Sequence, residues 1–450
     1  MAKRDNGRCP IQDRGCSGAR SLVIAFAESD NVSLPPTEPG YVDPRMRGFR
    51  IRTTVNDVLT LIDERIHALE SEPVPLLDAA KRVLAQEIVA VTAVPSFDRA
   101  AMDGYALRGE ETFGAGLYSH AIFRKVGIAR PGRAFPGTLN AGEAVEIATG
   151  APVPVGADTV VPVESTVTIG DRIGVIEPFP IGRHIGKAGE DVAEGMVVLS
   201  PGRVLRPQDL GVLSGLGVAT IKAIRAPRVT IIITGDEILP SGSSPYGHRF
   251  ADMNSPMLAA LIARDGGIPR RVGPIVDDRE TLRAALIESA KTSDVVLVSG
   301  GSSTGPEDHA PSLVAELGEL SVHGVALRPA SPSGLGFLGK IPILLLPGNP
   351  VSCLCAYDFF AGRVIRKLGG RNAEWPYRSV RSPLAQKLVS ALGRVDYARV
   401  RLVDGRVEPL SVSGASILTS TTKADGFVVV PAALEGYAQG VEVIVFRYDC

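Results

Sequence analysis

Residues 228–237 read Arg228-Val229-Thr230-Ile231-Ile232-Ile233-Thr234-Gly235-Asp236-Glu237. From Val229 to Ile233 the run is continuously β-branched, which suits a strand buried on both faces rather than one that alternates between core and water. It stops on Thr-Gly followed by two acids. The same pattern recurs toward the C-terminus. A helical repeat over 257–264 leads to a strand over 273–276 that ends in Asp277-Asp278, then a helix over 278–290. A strand over 295–298 ends in Ser299-Gly300-Gly301-Ser302-Ser303-Thr304-Gly305 and then Glu307-Asp308, followed by a helix over 311–317. A strand over 343–346 ends in Pro347-Gly348-Asn349-Pro350 and a helix over 351–368. Such alternation predicts a parallel sheet with helices on both faces, whose ligands bind beyond the carboxyl ends of the strands.

Before this module, apolar residues at Val55, Val58, Leu59, Ile62, Ile66 and Leu69 predict a helix over 55–69, and a second helical repeat spans 76–88 after Pro73 and Pro75. From 95 to about 195 the texture becomes β-prone runs (144–147, 159–163, 166–169, 173–176) punctuated by Gly and Pro, and a helical piece follows at 208–216. Beyond Gly369-Gly370 the chain is again β-rich, with its clearest strands at 398–403 and 441–446. Residues 1–45 lack a packable apolar face, and their one apolar island, 22–27, is too short for a secretory segment. They predict a disordered extension, or an early start with Met46 as the first residue.

Bulk properties exclude several classes. The 450 residues are 45% apolar and 22% charged, an ordinary soluble globular balance with room for several domains. With 48 basic against 49 acidic residues there is no basic excess to hold nucleic acid. No window approaches the ~20 unbroken apolar residues of a membrane helix. Cys9, Cys16, Cys353, Cys355 and Cys450 form no CxxC pair and no zinc spacing, so a reducing cytoplasm is the expected compartment. There is no GxxxxGK[ST], no GxGxxG following a strand, and no recognisable Ser-His-Asp set. His309, beside Asp308, is the one histidine near the strand ends.

The strand ends combine two chemistries. Gly/Ser/Thr loops bring backbone N–H groups close to an oxyanion. The acids would repel a phosphate unless a hard cation lay between, so Mg²⁺ is implied. Asp278 also has the position of an N-cap for the helix that follows it.

Taken in order, the landmarks resemble the MoeA/gephyrin E-domain family of molybdopterin molybdenumtransferases. They are Pro95-Ser96-Phe97-Asp98 with Ala101-Met102-Asp103-Gly104-Tyr105-Ala106, then Ala148-Thr149-Gly150-Ala151-Pro152-Val153-Pro154 with Gly156-Ala157-Asp158. Gly189-Glu190-Asp191, Thr234-Gly235-Asp236-Glu237, Asp277-Asp278, Ser299-Gly300-Gly301 and Pro347-Gly348-Asn349-Pro350-Val351-Ser352 complete the series over roughly residues 50–450.

The resemblance implies a multidomain α/β plus β fold. Residues 51–95 and 192–226 would form a split helical domain and 96–191 an inserted β-rich domain. Residues 227–370 would form a three-layer molybdopterin-binding α/β domain, 371–450 a C-terminal β-barrel, and 1–50 an extension. It implies a cytoplasmic homodimer that takes molybdopterin-AMP and molybdate, releases AMP with Mg²⁺, and yields molybdenum cofactor. A molybdopterin adenylyltransferase and molybdoenzyme recipients are the implied protein partners. Carried over by position, Asp103, Thr149, Glu237, Asp277 and Asp308 would be catalytic, and Asp236, Glu237, Asp277 and Asp308 would hold the metal. Thr234, Gly235, Asp236, Ser299, Gly300, Gly301, Ser302, Arg328, Ser331, Pro347, Gly348, Asn349 and Pro350 would contact substrate.

One stretch departs from the family pattern. Where relatives carry lysines, this chain has Gly324, Arg328 and Ser331, leaving Arg328 as the expected anion contact. Ser303-Thr304-Gly305-Pro306 also departs, with proline where a polar residue is usual. The alternative reading is a non-catalytic carrier or sensor of molybdopterin or finished cofactor. A scaffold is disfavoured, because no separate adenylyltransferase domain accompanies the chain.

Overall fold

The β-branched run forms the strand Arg228–Thr234, in the interior of a six-stranded sheet. The order from one edge is Ile268–Ile275, Arg228–Thr234, Val295–Ser299, Ile341–Leu346, Gly334–Leu338 and Glu319–His323. The first four strands are parallel, as the alternation predicts. Gly334–Leu338 runs opposite to them and pairs antiparallel with both its neighbours, Ile341–Leu346 and Glu319–His323, which corrects the expectation of a parallel sheet throughout. Gly334–Leu338 and Ile341–Leu346 are joined through Gly339 and Lys340, and so short a link permits only a hairpin, since a parallel crossover needs a dozen residues or more. The GxGxxG spelling at 334–339 is therefore that strand and its turn, not a phosphate loop.

The computed structural model describes residue 49 and residues 51–301, 308–411 and 414–448. The expected extension over 1–50 thus falls almost wholly outside the described residues, as do Cys9, Cys16, Cys450 and Ser302.

Alternation along the buried strands divides the core in two. Val229, Ile231 and Ile233 face a cluster with Leu258 and Ile262 of the helix Asn254–Arg264 and with the helical stretch 350–368. Ile232, Val296, Val298, Ile343 and Leu345 face the helices Arg279–Thr292 and Ala310–Leu317. Each fully buried aliphatic side chain contributes about 1.5–3 kcal/mol. Asp278 caps its helix as the sequence suggests, its carboxylate accepting the Thr281 N–H at 2.8 Å.

The helix expected over 55–69 forms as Val55–Arg65, capped by Thr54 and ending four residues early. Its Val55, Val58 and Ile62 belong to the same core as the six-stranded sheet. The helix expected at 76–88 does not form. Leu76–Asp78 is one 3₁₀ turn, and Val83–Leu84 and Ile88–Val89 are strands. Residues 220–224 explain the correction: Thr220–Ile224 pairs with both Ser71–Pro75 and Val83–Leu84, so a partner far along the chain overrides local propensity. Residues 104–175, between those pairing segments, make a second six-stranded sheet. A third, toward the C-terminus, recruits Leu327–Arg328 as an edge strand parallel to Val395–Val403. Among the described residues no helix is long and apolar enough to cross a membrane.

The stretch 350–368 is buried almost all round, between the α/β sheet and Val395, Tyr397, Phe427 and Phe446 of the C-terminal strands. Its charged interior is neutralised locally. Asp265 accepts from Tyr357 Oη at 3.0 Å, Arg366 at 2.9 Å and Arg264 at 3.1–3.2 Å. Asp358 accepts from Tyr377 at 2.8 Å and Tyr397 at 3.0 Å, with Arg264 at 3.5 Å.

Candidate functional site

Strand ends of the α/β sheet open into a cavity of about 530 Å³. Thr234, Gly235, Glu237, Asp277, Ser299, Gly300, Gly301, Asp308 and the whole of Pro347-Gly348-Asn349-Pro350 line it. These sequence-predicted residues, spread over more than a hundred positions, are brought together by the parallel strands that end there. Close backbone approach explains one glycine directly: at Gly300 φ is +102°, and a Cβ would sit 2.3 Å from the Thr234 carbonyl oxygen. The two loops thus touch as main chain, leaving no room for a side chain between them.

The acids are held by short-range contacts. Thr234 Oγ1 donates to Asp277, and the Asp277 N–H donates to Asp236 at 3.2 Å. Asp236 itself does not line the cavity. Glu237, Asp252, Asp277 and Asp308 make the lining strongly acidic, and among the described residues it contains no lysine or arginine. No group of three acids or other ligating side chains among the described residues is close enough to cage a metal unaided. The carboxylates of this wall suit a hard cation such as Mg²⁺, which takes one or two carboxylates, keeps waters and completes its shell with substrate phosphates.

Some expected residues lie elsewhere. Asp103 and Thr149 form a pair at one end of the second six-stranded sheet, just before the strand Gly104–Leu107 and just after Glu143–Ile147, with Asp103 Oδ1 accepting the Thr149 N–H at 2.6 Å and its hydroxyl at 2.9 Å. These bonds, the backbone one foremost, hold the exposed Asp103 carboxyl below the usual range. Arg328, expected as a free anion contact, is engaged instead. Its guanidinium makes a bidentate pair with the buried Asp396, Nε at 2.7 Å, because the C-terminal sheet takes Leu327–Arg328 as an edge strand. Ser331 donates to the Val325 carbonyl at 3.1 Å and accepts from Arg52 at 3.0 Å, while its neighbour Pro332 reaches the cavity. His309 is not a lining residue.

Other lining residues carry no flag in the sequence reading: Phe250, Asp252, Asn254 and, from the C-terminal module, Ser416. Asp252 had a local signal. It sits just before a helical repeat, and its carboxylate accepts the N–H groups of Asn254 and Ser255, both at 2.9 Å. Ser416 had none, since only tertiary structure brings residues 414–418 here, where Val351 N–H donates to the Ala415 carbonyl at 2.9 Å.

Comparison with known proteins agrees along the chain. Residues 53–217 match the model for the "MoeA N-terminal region (domain I and II)", 230–367 that for a "Probable molybdopterin binding domain", and 381–447 the "MoeA C-terminal region (domain IV)". A protein of Mycobacterium tuberculosis named molybdopterin molybdenumtransferase 2 is 33% identical over 402 residues, covering 87% of this chain and 99% of that one. The molybdopterin molybdenumtransferase of Haemophilus influenzae is 30% identical over 406 residues, with the same coverage of 87% and 99%. Two crystal structures of the molybdopterin biosynthesis MoeA protein from Pyrococcus horikoshii superpose with TM-scores of 0.76 and 0.73, at 31% and 30% identity. They cover 89% and 88% of this chain and are themselves covered completely, at 100%.

Proposed function

The chain belongs to the MoeA family of molybdopterin molybdenumtransferases, and we propose that it works as one, inserting molybdate into adenylylated molybdopterin with release of AMP. The observation that carries this reading is the cavity, where Glu237, Asp277 and Asp308 face the Gly300-Gly301 and Pro347–Pro350 main chain.

In this proposal Glu237, Asp277 and Asp308 hold Mg²⁺, with Asp236 behind Asp277. When bound, the ion supplies charge neutralisation and Lewis-acid polarisation at the pyrophosphate. The Gly301 backbone N–H orients a phosphate oxygen, while Thr234 fixes the Asp277 carboxylate. The dithiolene sulfurs of the substrate take the molybdenum, so no protein thiol is needed. Consistently, Cys353 is fully buried, and desolvation pushes its thiol up to about 12.

We assign Asp103 and Thr149 to the site of the partner subunit in a cytoplasmic homodimer. Residues 96–191 then act as the inserted domain and 371–450 as a C-terminal barrel. Mixing Asp103→Ala and Asp308→Ala subunits by co-expression tests this. Heterodimers should recover about half the wild-type activity per dimer, because one of two sites is intact; a site built within one subunit gives no recovery.

The pairing of Arg328 with Asp396 favours a second reading, a carrier or sensor without turnover, because it removes the expected anion contact. One experiment separates the two. Purified protein, Mg²⁺, molybdate and molybdopterin-AMP should give AMP and active cofactor; stoichiometric binding without AMP would establish the carrier.

A further inference from the structure

Asn254 stands at the start of the helix Asn254–Arg264, is only 8% exposed, and lies in the cavity wall. Its side-chain NH₂ makes two donations. One goes to Ser299 Oγ at 2.9 Å, at the end of one central strand. The other goes to the Gly348 carbonyl at 2.7 Å, in the loop beyond the neighbouring strand. Both hydrogens are therefore committed, and flipping the amide would break both bonds. The Oδ1 atom is buried and meets no donor among the described residues. An amide with an open buried acceptor is costly, so the two donations, not self-satisfaction, fix its orientation. The backbone beneath it is fixed as well, because Asp252 accepts the Asn254 N–H at 2.9 Å and Ser255 on both N–H and hydroxyl.

We infer that Asn254 is a positioning residue that sets the separation of the two main-chain loops forming the anion cradle. Beside it, the two segments are held where their strands end by the pairing of Ser299 with Leu346, by Gly300 N–H to the Leu346 carbonyl, a long contact of 3.4 Å, and by Ser299 Oγ to Cys353 Sγ at 3.8 Å. Without Asn254 the Gly301 amide, which no neighbouring carbonyl takes among the described residues, loses its fixed aim, and preorganised donors act through aim. The kinetic side of this inference rests on the transferase reading; its structural side does not.

The test uses the full-length protein with Asn254→Ala, the near-isosteric Asn254→Asp, Ser299→Ala, and the Asn254→Ala/Ser299→Ala double variant. Hydrogen–deuterium exchange is read first, with no ligand. Asn254→Ala should raise exchange about tenfold or more at 299–301 and 348–353, and leave the strand Val395–Val403 unchanged. Single-turnover AMP release at saturating substrate is read next. Asn254→Ala should be about 10–100-fold slower with KM within about threefold, Asn254→Asp should fail alike because its oxygen faces the Gly348 carbonyl, and the double variant should be no slower than Asn254→Ala. Wild-type exchange in the two loops overturns the clamp, as does wild-type turnover in Asn254→Asp or additive losses in the double variant. If wild-type protein releases no AMP while the loops of Asn254→Ala exchange faster, the clamp stands and the transferase reading falls.

Discussion

Asp265 and Asp358 lie under the C-terminal module with every carboxylate oxygen engaged, each within reach of arginine and tyrosine. Glu237 and Asp277 line the cavity on the same α/β domain, and among the described residues neither has an arginine or lysine partner. The two acidic groups come from one fold and are treated in opposite ways. Where acids serve packing, the chain supplies cations from its own sequence, since an unpaired buried charge is among the costliest defects in a protein. At Glu237 and Asp277 the chain supplies no such cation among the described residues, and that role is left to something that binds. Strand-end acids such as Glu237 and Asp277, which have no arginine or lysine partner among the described residues, are thus a sign of ligand chemistry that Asp265 and Asp358 are not.

The sharpest way to break this contrast is at the buried pair. Asp265→Ala strands Arg366 and should lower the unfolding free energy by about 3–5 kcal/mol in urea, with AMP release per folded molecule retained. A loss under 1 kcal/mol would erase the distinction. In the cavity the pattern should invert. Glu237→Ala or Asp277→Ala should slow AMP release by about 10²–10³-fold, the range for one preorganised electrostatic group, while stability changes by less than about 1 kcal/mol. Destabilisation like that of Asp265→Ala would mean that these acids are structural.

A smaller effect concerns pH. Burial raises the Asp358 carboxyl to about 6 from its ordinary 3.8, against the opposing pull of Arg264 and two tyrosines. The folded-state value is the higher one, so this stabilisation is complete below about pH 4 and is lost as pH rises through 6. Measured against Asp358→Asn, wild-type unfolding free energy should therefore decline by up to about 3 kcal/mol between pH 4 and 7. A difference that stays constant over that window would show that Asp358 titrates normally.

Much of this was legible in the sequence, and what was not shares a cause. The run 229–233, the acid and glycine strand ends and the Asp278 cap are local signals, and each element forms where its own residues specify it. Arg328 reads as a free cation because nothing nearby in sequence announces Asp396, 68 positions on. The helix expected at 76–88 fails for the same reason, since its strand partner comes from 220–224. Asn254 and Ser416 carry no signal in the sequence, because only the fold brings the strand ends and the C-terminal module to them.

Ser416 carries one more consequence. Because residues 415 and 416 lean on the start of the 350–368 helix and complete the cavity wall, a ligand seated there touches two modules at once. Mass action then adds about 2.7 kcal/mol at a ligand concentration a hundred times Kd, and shares it between both modules. Bound substrate thereby acts as a mortise between the α/β sheet and the C-terminal strands, and calorimetry of the saturated protein should show them melting in a single cooperative step.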